Sequence, residues 1–188
     1  PTIPGEKALL NKGVSYCATC DGPLYRGKEV ALYGRGDMVL EEAIYLQALA
    51  SKVYIITPDE EYQGNELMKN VLNEKGNVEF IKNASITKIL GENAVSGIEY
   101  SQNGQQNVLN LSAVFPLFGE KSASAFLSPL NLESNHGFIK VDSNMMSSCQ
   151  GLYAAGDIVD KTLRQVVTAA SDGAIAATAA LSYLRKQK

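Results

Sequence analysis

The sequence predicts an α/β fold: a parallel sheet with flanking helices, an antiparallel β-meander, and a smaller second piece at the C-terminal end. Three observations carry this. A strand, glycine turn, helix, strand series starting at residue 28 covers about 30 residues, the size of one βαβ unit with parallel strands. Downstream of residue 77 the grammar changes to short runs rich in β-branched residues, separated by turn signals. From Gly119 it changes again, to a loop, two short strands and a long Ala-rich helix.

In chain order, "KEVALY" (28–33) reads as a short buried strand, and "LEEAIYLQALA" from Leu40 repeats apolar residues on a helical period, with Ile44, Leu46 and Leu49 on one side. "SKVYIITPD" is the second strand, and "NELMKNVLNEKG" a further helix closed by Gly76. "VEFIKN", "SITKILG", "AVSGIEYS" and "NVLNLSAVF" are read together as the meander, with the tightest turn at Asn103-Gly104. Beyond a boundary placed at residues 116 to 120 come the strands "GFIKV" and "GLYAAGD" and a helix over 163–184. No repeat or low-complexity segment interrupts the chain.

A chain of 188 residues suffices for one good core or two small domains, and 45% hydrophobic with 20% charged residues is an ordinary globular composition. The net charge of −3, with Lys and Arg scattered, offers no footprint for nucleic acid or an anionic membrane. No apolar run approaches the roughly 18 to 20 residues of a membrane span, and "PTIPGEKALL" lacks the layout of a signal peptide, so a cytoplasmic setting is expected. Three cysteines make no disulfide scaffold, and Cys149 has no obvious partner.

"CATCD" carries the first chemistry. A CxxC pair ahead of a helix-compatible stretch can bring two sulfurs within bridging distance, and a cysteine near a helix N-terminus gains thiolate character. Asp21, adjacent to Cys20, is placed to move a proton to or from a departing sulfur. The competing reading is a structural zinc site in which Cys17, Cys20, Cys149 and His136 form a Cys₃His set. Its second half, "HGFIKVDSNMMSSC", spaces His and Cys 13 residues apart, which is not the usual tight spacing.

"ALYGRGDMV" carries the second. It follows a strand and opens a helix, the context in which GxG serves a dinucleotide pyrophosphate: Gly34 for the tight turn, Gly36 for close backbone approach, and Asp37 at the helix start. The sixth position is Val39 rather than Gly or Ala, so close helix-to-strand packing is expected to suffer. About two dozen residues on, "TPDEEYQG" places Asp59 as the reader of a ribose 2′-hydroxyl. With no arginine expected nearby, and with Asp59, Glu60 and Glu61 set to repel a 2′-phosphate, NADH is expected over NADPH if a pyridine nucleotide binds at all.

Together, "GVSYCATCDGPLYRGKEVALYGRGD", "LEEAIYLQALASKVYIIT" and "GLYAAGDIVDKTLRQVVTAASDGAIAA" closely resemble the bacterial low-molecular-weight thioredoxin reductases, over essentially the whole chain and in the right order. The resemblance implies a Rossmann-like three-layer FAD/NAD(P)-binding fold. A pyridine-nucleotide-binding-like domain carrying the redox pair would span 1–118, and an incomplete second FAD-binding lobe, the C-terminal portion of the flavin domain, would span 119–188. The N-terminal half of that flavin domain is the part the sequence lacks.

For chemistry, the resemblance implies a flavoprotein that passes electrons through FAD and a Cys17/Cys20 disulfide to thioredoxin or a similar protein. Cys20 would be the flavin-side sulfur, Cys17 the one that attacks thioredoxin, and Asp21 the acid. Gly156 and Asp157 would meet the flavin's pyrophosphate and ribityl region, and Arg164, Gln165 and Val166 the isoalloxazine edge. A homodimer and a domain rotation that alternates access to the disulfide are further implications.

Three departures stand against the family pattern. Its second strand ends in a histidine, two arginines and a third arginine four residues on, where this chain has Thr57, Pro58, Asp59 and Gln63. That opens two alternatives: electrons from NADH or from ferredoxin in place of NADPH, or a non-catalytic zinc- or nucleotide-binding module. A loop that usually reads Gly-x-x-Pro-x-Thr has Ser122 in the proline position. The absent half of the flavin domain would leave apolar surface at Leu152, Tyr153 and Ala154 exposed or repacked, so this chain alone would bind FAD poorly.

Overall fold

The computed structural model describes residues 2–119 and 122–187, and divides into two compact units, Pro1–Gly119 and Glu120–Lys188. The Glu120 and Lys121 positions of the unusual loop lie outside the described residues. Among the described residues no helix is long and apolar enough to cross a membrane.

The first unit is built on β1 (Glu29–Gly34), whose last five residues are all buried. β2 (Lys52–Ile56) pairs with it on one side, β3 (Val78–Ile81) extends the sheet beyond β2, and β7 (Ala113–Leu117) flanks β1 on the other. All pairings are parallel, in register Val30 to Val53 and Val30 to Ala113. A strand buried on both faces sends alternate residues into two cores. Val30 and Leu32 pack with α2 (Asp37–Gln47) residues Val39, Leu40, Ala43 and Leu46 and with Leu72 of α3 (Glu66–Glu74). Ala31 and Tyr33 face the other core with Ile86, Ile89 and Ile98, which come from the antiparallel β4 (Ala84–Gly91) and β5 (Val95–Gln102). β6 (Gln105–Asn110) completes that second sheet. Helices, parallel sheet and antiparallel sheet make three layers.

The meander is therefore shorter than expected. "VEFI" belongs to the parallel sheet as β3, and "AVFPL" returns to it as β7; only β4, β5 and β6 are antiparallel. The continuous burial of all five β7 residues is the mark of a parallel strand covered on both faces. Pro116 is tolerated because β7 is an edge of the sheet, where a missing N–H costs no ladder bond.

The second unit has little buried apolar surface: Ile139, Val159 and Ala176 are its buried hydrophobics. The strand expected at "GFIKV" shrinks to a two-residue β9 (Phe138–Ile139) paired with β8 (Ser134–Asn135), and "GLYAAGD" forms only a bridge from Tyr153 to Met146 before a 3-10 turn at Gly156–Ile158. A strand persists only where a neighbour takes up its N–H and C=O groups. Leu152, Tyr153 and Ala154, expected to be exposed or repacked, are half-buried. Apolar exposure lies instead at Phe126, Leu130, Leu163 and along α4 (Val166–Lys186), at Val166, Val167, Leu181 and Leu184.

The glycine turn at the end of β1 decides how close α2 sits. A Cβ on Gly34 would lie 2.0 Å from the Leu117 carbonyl oxygen and 3.0 Å from Val39 Cγ2. Gly34 thus serves close packing rather than the turn, and Val39, fully buried, fills the space above it instead of spoiling the contact. The conformational demand falls on Gly36, whose φ of 78° and ψ of −177° suit only glycine. Because the obstruction at Gly34 is backbone, Gly34→Ala is expected to destabilise the first unit by about 3 kcal/mol, the upper end for overpacking; a shift in the urea midpoint measures it.

Candidate active site

Cys17 and Cys20 form a disulfide, with Sγ atoms 2.11 Å and Cα atoms 5.3 Å apart. Cys17 is the N-cap of the short α1 (Ala18–Asp21), and the Cys20 N–H donates to Cys17 Sγ at 3.1 Å. Buried Ser15 accepts the Cys17 N–H at 3.1 Å, and its own N–H donates to the Val114 carbonyl of β7. On the α2 side, the Thr19 hydroxyl donates to Glu42 at 3.3 Å and the Tyr45 hydroxyl to the Thr19 carbonyl at 3.5 Å. The pair is therefore held by both the sheet and the helix layer, with Cys20 exposed and Cys17 half-buried. Asp21 lies near Tyr25, whose phenol is pushed up chiefly by burial and then by the Asp21 charge. Burial likewise raises the Glu42 carboxyl, against the hydrogen bonds from Thr19. Among the described residues no group of three or more His, Cys, Asp or Glu is placed to hold a metal.

The second site lies at the C-terminal end of β1, with β2 on one side and β7 on the other, where open parallel sheets present a ligand crevice. Space for a Cβ at Gly36 is open, with nothing within 4 Å, so the turn can be approached closely. The loop after β2 folds back onto it. The Tyr62 hydroxyl donates to the Gly36 carbonyl at 3.0 Å, and the Asn65 N–H donates to Asp37 Oδ1 at 2.7 Å. Asp37 thus ties the start of α3 to that of α2. Burial, then the charges of Asp37 and Asp59, hold the Tyr62 phenol protonated far above its ordinary range.

Asp59 stands at the end of this loop's first turn, and an arginine does lie beside it. Arg35, between the two glycines, places Nη2 2.9 Å from Asp59 Oδ1. Counting along the strand misses this pair, because Arg35 reaches Asp59 across the sheet. A depression of about 710 Å³ lies between Arg35, Gly36, Asp59, Glu60, Glu61 and Gln63. A smaller one of about 230 Å³ lies on the β7 side, at Gly34, Leu117 and the edge-to-face pair of Tyr33 with Phe118.

In the second unit, Gly156 and Asp157 open the 3-10 turn and Arg164, Gln165 and Val166 lead into α4. The helix begins at Val166, three residues later than its apolar pattern predicts, because Gln165 and Thr168 form a capping box. Arg164 joins the two segments, donating to the carbonyls of Asp157 at 3.3 Å and Val159 at 3.4 Å while lying 3.9 Å over the Phe138 ring. Sequence reasoning missed Asp172, which accepts the Gly156 N–H at 3.1 Å and pairs with Lys161. The i and i+16 spacing from Gly156 to Asp172 leaves no local signal.

Residues 1–173 match the pyridine nucleotide-disulphide oxidoreductase family. The chain belongs to that family. Within this oxidoreductase family it is similar to the thioredoxin reductase of Ureaplasma parvum, 36% identical over 98% of this chain and 60% of the relative. Among solved structures it is similar to the thioredoxin reductase of Streptococcus pyogenes, at TM-score 0.94 and 32% identity over 99% of this chain and 62% of that one. It is also similar to a ferredoxin-flavin thioredoxin reductase from Clostridium acetobutylicum, at TM-score 0.52 and 33% identity, covering 99% of this chain and 60% of that one. The chain spans about 60% of the length of these relatives. The resemblance read from the motifs and the fold class both hold.

Tyr62→Phe is expected to cost about 1 to 2 kcal/mol, since the Gly36 carbonyl loses its hydroxyl donor; denaturant unfolding measures it. Asp172 has its carboxyl lowered below its ordinary 3.8, first by the Lys161 hydrogen bond. A depressed folded pKa stabilises above the unfolded value and is lost as pH falls through the folded one. The stability gap between wild type and Asp172→Asn at neutral pH is therefore expected to shrink below about pH 4, read from unfolding midpoints across that range.

Proposed function

We propose that this protein is a thioredoxin-reductase-like disulfide oxidoreductase, whose working pair is Cys17 and Cys20 and whose electron donor is not NADPH. The observation that carries the reading is the closed Cys17–Cys20 disulfide beside Asp21, on an exposed turn held by Ser15 and Glu42. The names of its relatives support thioredoxin or a similar small protein as the disulfide substrate.

Residues of the second unit fit a flavin. Asp157 is exposed beside a glycine of positive φ, and Val166 and Val167, 87% and 72% exposed at the start of α4, offer an apolar shelf for a flat ring. Bound FAD would supply two-electron exchange; the chain supplies the dithiol. Uptake of two electrons and one proton opens the disulfide to a Cys17 thiolate and a Cys20 thiol. Cys17, as thiolate, still accepts the Cys20 N–H, and this holds it ready to attack a substrate disulfide, releasing one substrate thiolate and forming a mixed disulfide. Cys20 then attacks Cys17 Sγ, re-forms the internal bond and releases the second substrate sulfur. Asp21 moves the proton at Cys20. The domains at 1–118 and 119–188, a homodimer and a cytoplasmic setting accompany this reading.

Thr57, Pro58, Asp59 and Gln63 in place of basic residues favour NADH as donor, read by Gly34, Gly36, Asp37 and Asp59. The likeness to a ferredoxin-flavin thioredoxin reductase favours a second donor, reduced ferredoxin.

Reduction should expose two thiols beyond the free Cys149, and Cys17→Ser or Cys20→Ser should abolish both that gain and turnover of a thioredoxin disulfide. A wild-type thiol count unchanged by reduction would end the reading. In parallel assays NADH or ferredoxin is expected to reduce the protein and NADPH to do so slowly; rapid NADPH reduction would remove the donor assignment.

A further inference from the structure

We propose that Arg35 is a latent reader of a 2′-phosphate, held in check by Asp59, and that this ion pair sets which adenosine nucleotide the turn accepts. The inference rests on the reading above that the glycine turn binds a pyridine nucleotide.

The two partners differ in how firmly they are placed. Asp59 is 27% exposed, accepts the Thr57 hydroxyl on Oδ2 at 3.4 Å, and its N–H donates to the same Thr57 oxygen at 3.3 Å. Its carbonyl accepts the Asn83 N–H at 3.0 Å, so the backbone that carries the carboxylate is held too. Arg35 is 62% exposed on a turn between two glycines, and its ion pair among the described residues is with Asp59 alone. A surface pair of this kind is weak and easily exchanged. The guanidinium is the mobile member, and a planar fork of N–H donors suits a phosphate as well as a carboxylate.

Charge in the depression follows from the pairing. Glu61 is matched by Lys82 at 2.8 Å and Asp59 by Arg35, which leaves the charge of Glu60 unmatched by any ion pair among the described residues. A nucleotide whose pyrophosphate rests at Gly36 brings its adenosine ribose to the end of β2, beside Asp59. A free 2′-hydroxyl donates to Asp59 with the ion pair intact. A 2′-phosphate must draw Arg35 away, and then meets two carboxylates, Asp59 and Glu60. Removing the Asp59 charge reverses the balance: Arg35 is released to the phosphate, and the repulsion is halved.

The test is equilibrium binding of 5′-AMP and 2′,5′-ADP, which differ only in the 2′-phosphate, to the protein by calorimetry, which needs no flavin reduction. Wild type is expected to bind 5′-AMP about tenfold tighter than 2′,5′-ADP, and Asp59→Asn to move that ratio about a hundredfold towards 2′,5′-ADP, in line with charge-assisted hydrogen bonds gained and repulsion lost. The amide in that variant keeps the shape of the carboxylate and the Thr57 contact, and matching thermal midpoints confirm the fold. Arg35→Ala placed on Asp59→Asn should erase the gain. A wild type that favours 2′,5′-ADP, a ratio unmoved by Asp59→Asn, or a gain that survives without Arg35 each overturns the proposal. So does a wild type that binds neither nucleotide while its thiols still cycle, which leaves the disulfide reading standing. The expected shift in a protein whose thiols do not cycle supports this proposal and sinks only the reductase reading.

Discussion

Burial of β1 on both faces is the constraint from which the rest of the first unit follows. Its side chains enter two cores in alternation, so the strand can neither slip by one residue nor turn over without moving Leu32 and Tyr33 into the wrong layer. That fixed register aims the glycine turn at one end. The disulfide turn is tied to the same layers separately, through the Val114 carbonyl of the adjacent strand and the outer surface of α2. Two chemically unrelated motifs thus share one rigid support. The short interval between them in the sequence reflects this economy of scaffold and implies no direct interaction.

The electrostatics of the nucleotide end are local and nearly self-cancelling. Acids gather on the loop after β2, yet Arg35 and Lys82 neutralise two of them. What remains is a small negative bias rather than a strongly acidic site. Small biases of this kind discriminate between ligands that differ by a charged group while barely affecting ligands that do not, since the Coulomb term at exposed positions is screened and only a charged substituent feels it fully.

Much of this was legible in the sequence, and the misses share a cause. β1, α2, β2 and the CxxC turn announce themselves through short-range pattern, because each is defined by residues within a turn or two of one another. β3 and β7 do not. Both lie next in sequence to antiparallel strands but pair with β2 and β1 across long connections, and burial on both faces is a property of the neighbours, not of "VEFI" or "AVFPL" themselves. Arg35 with Asp59, Tyr62 with Gly36 and Asp172 with Gly156 were hidden for the same reason. Each is a contact between segments at least 16 residues apart. In the second unit the pattern of strands was present, but too few partners lie within the described residues for those strands to form.

The two hydrogen bonds that fasten the loop after β2 to the glycine turn have a dynamic consequence. Tyr62 and Asn65 grip consecutive residues, Gly36 and Asp37, so the loop cannot lift without stripping both the turn's carbonyl and the first carboxylate of α2 of their partners. Loop and turn should then open and close as one cooperative segment, and amide exchange along residues 57–65 should follow that at the start of α2. A ligand that settles on either part would quieten the motion of both.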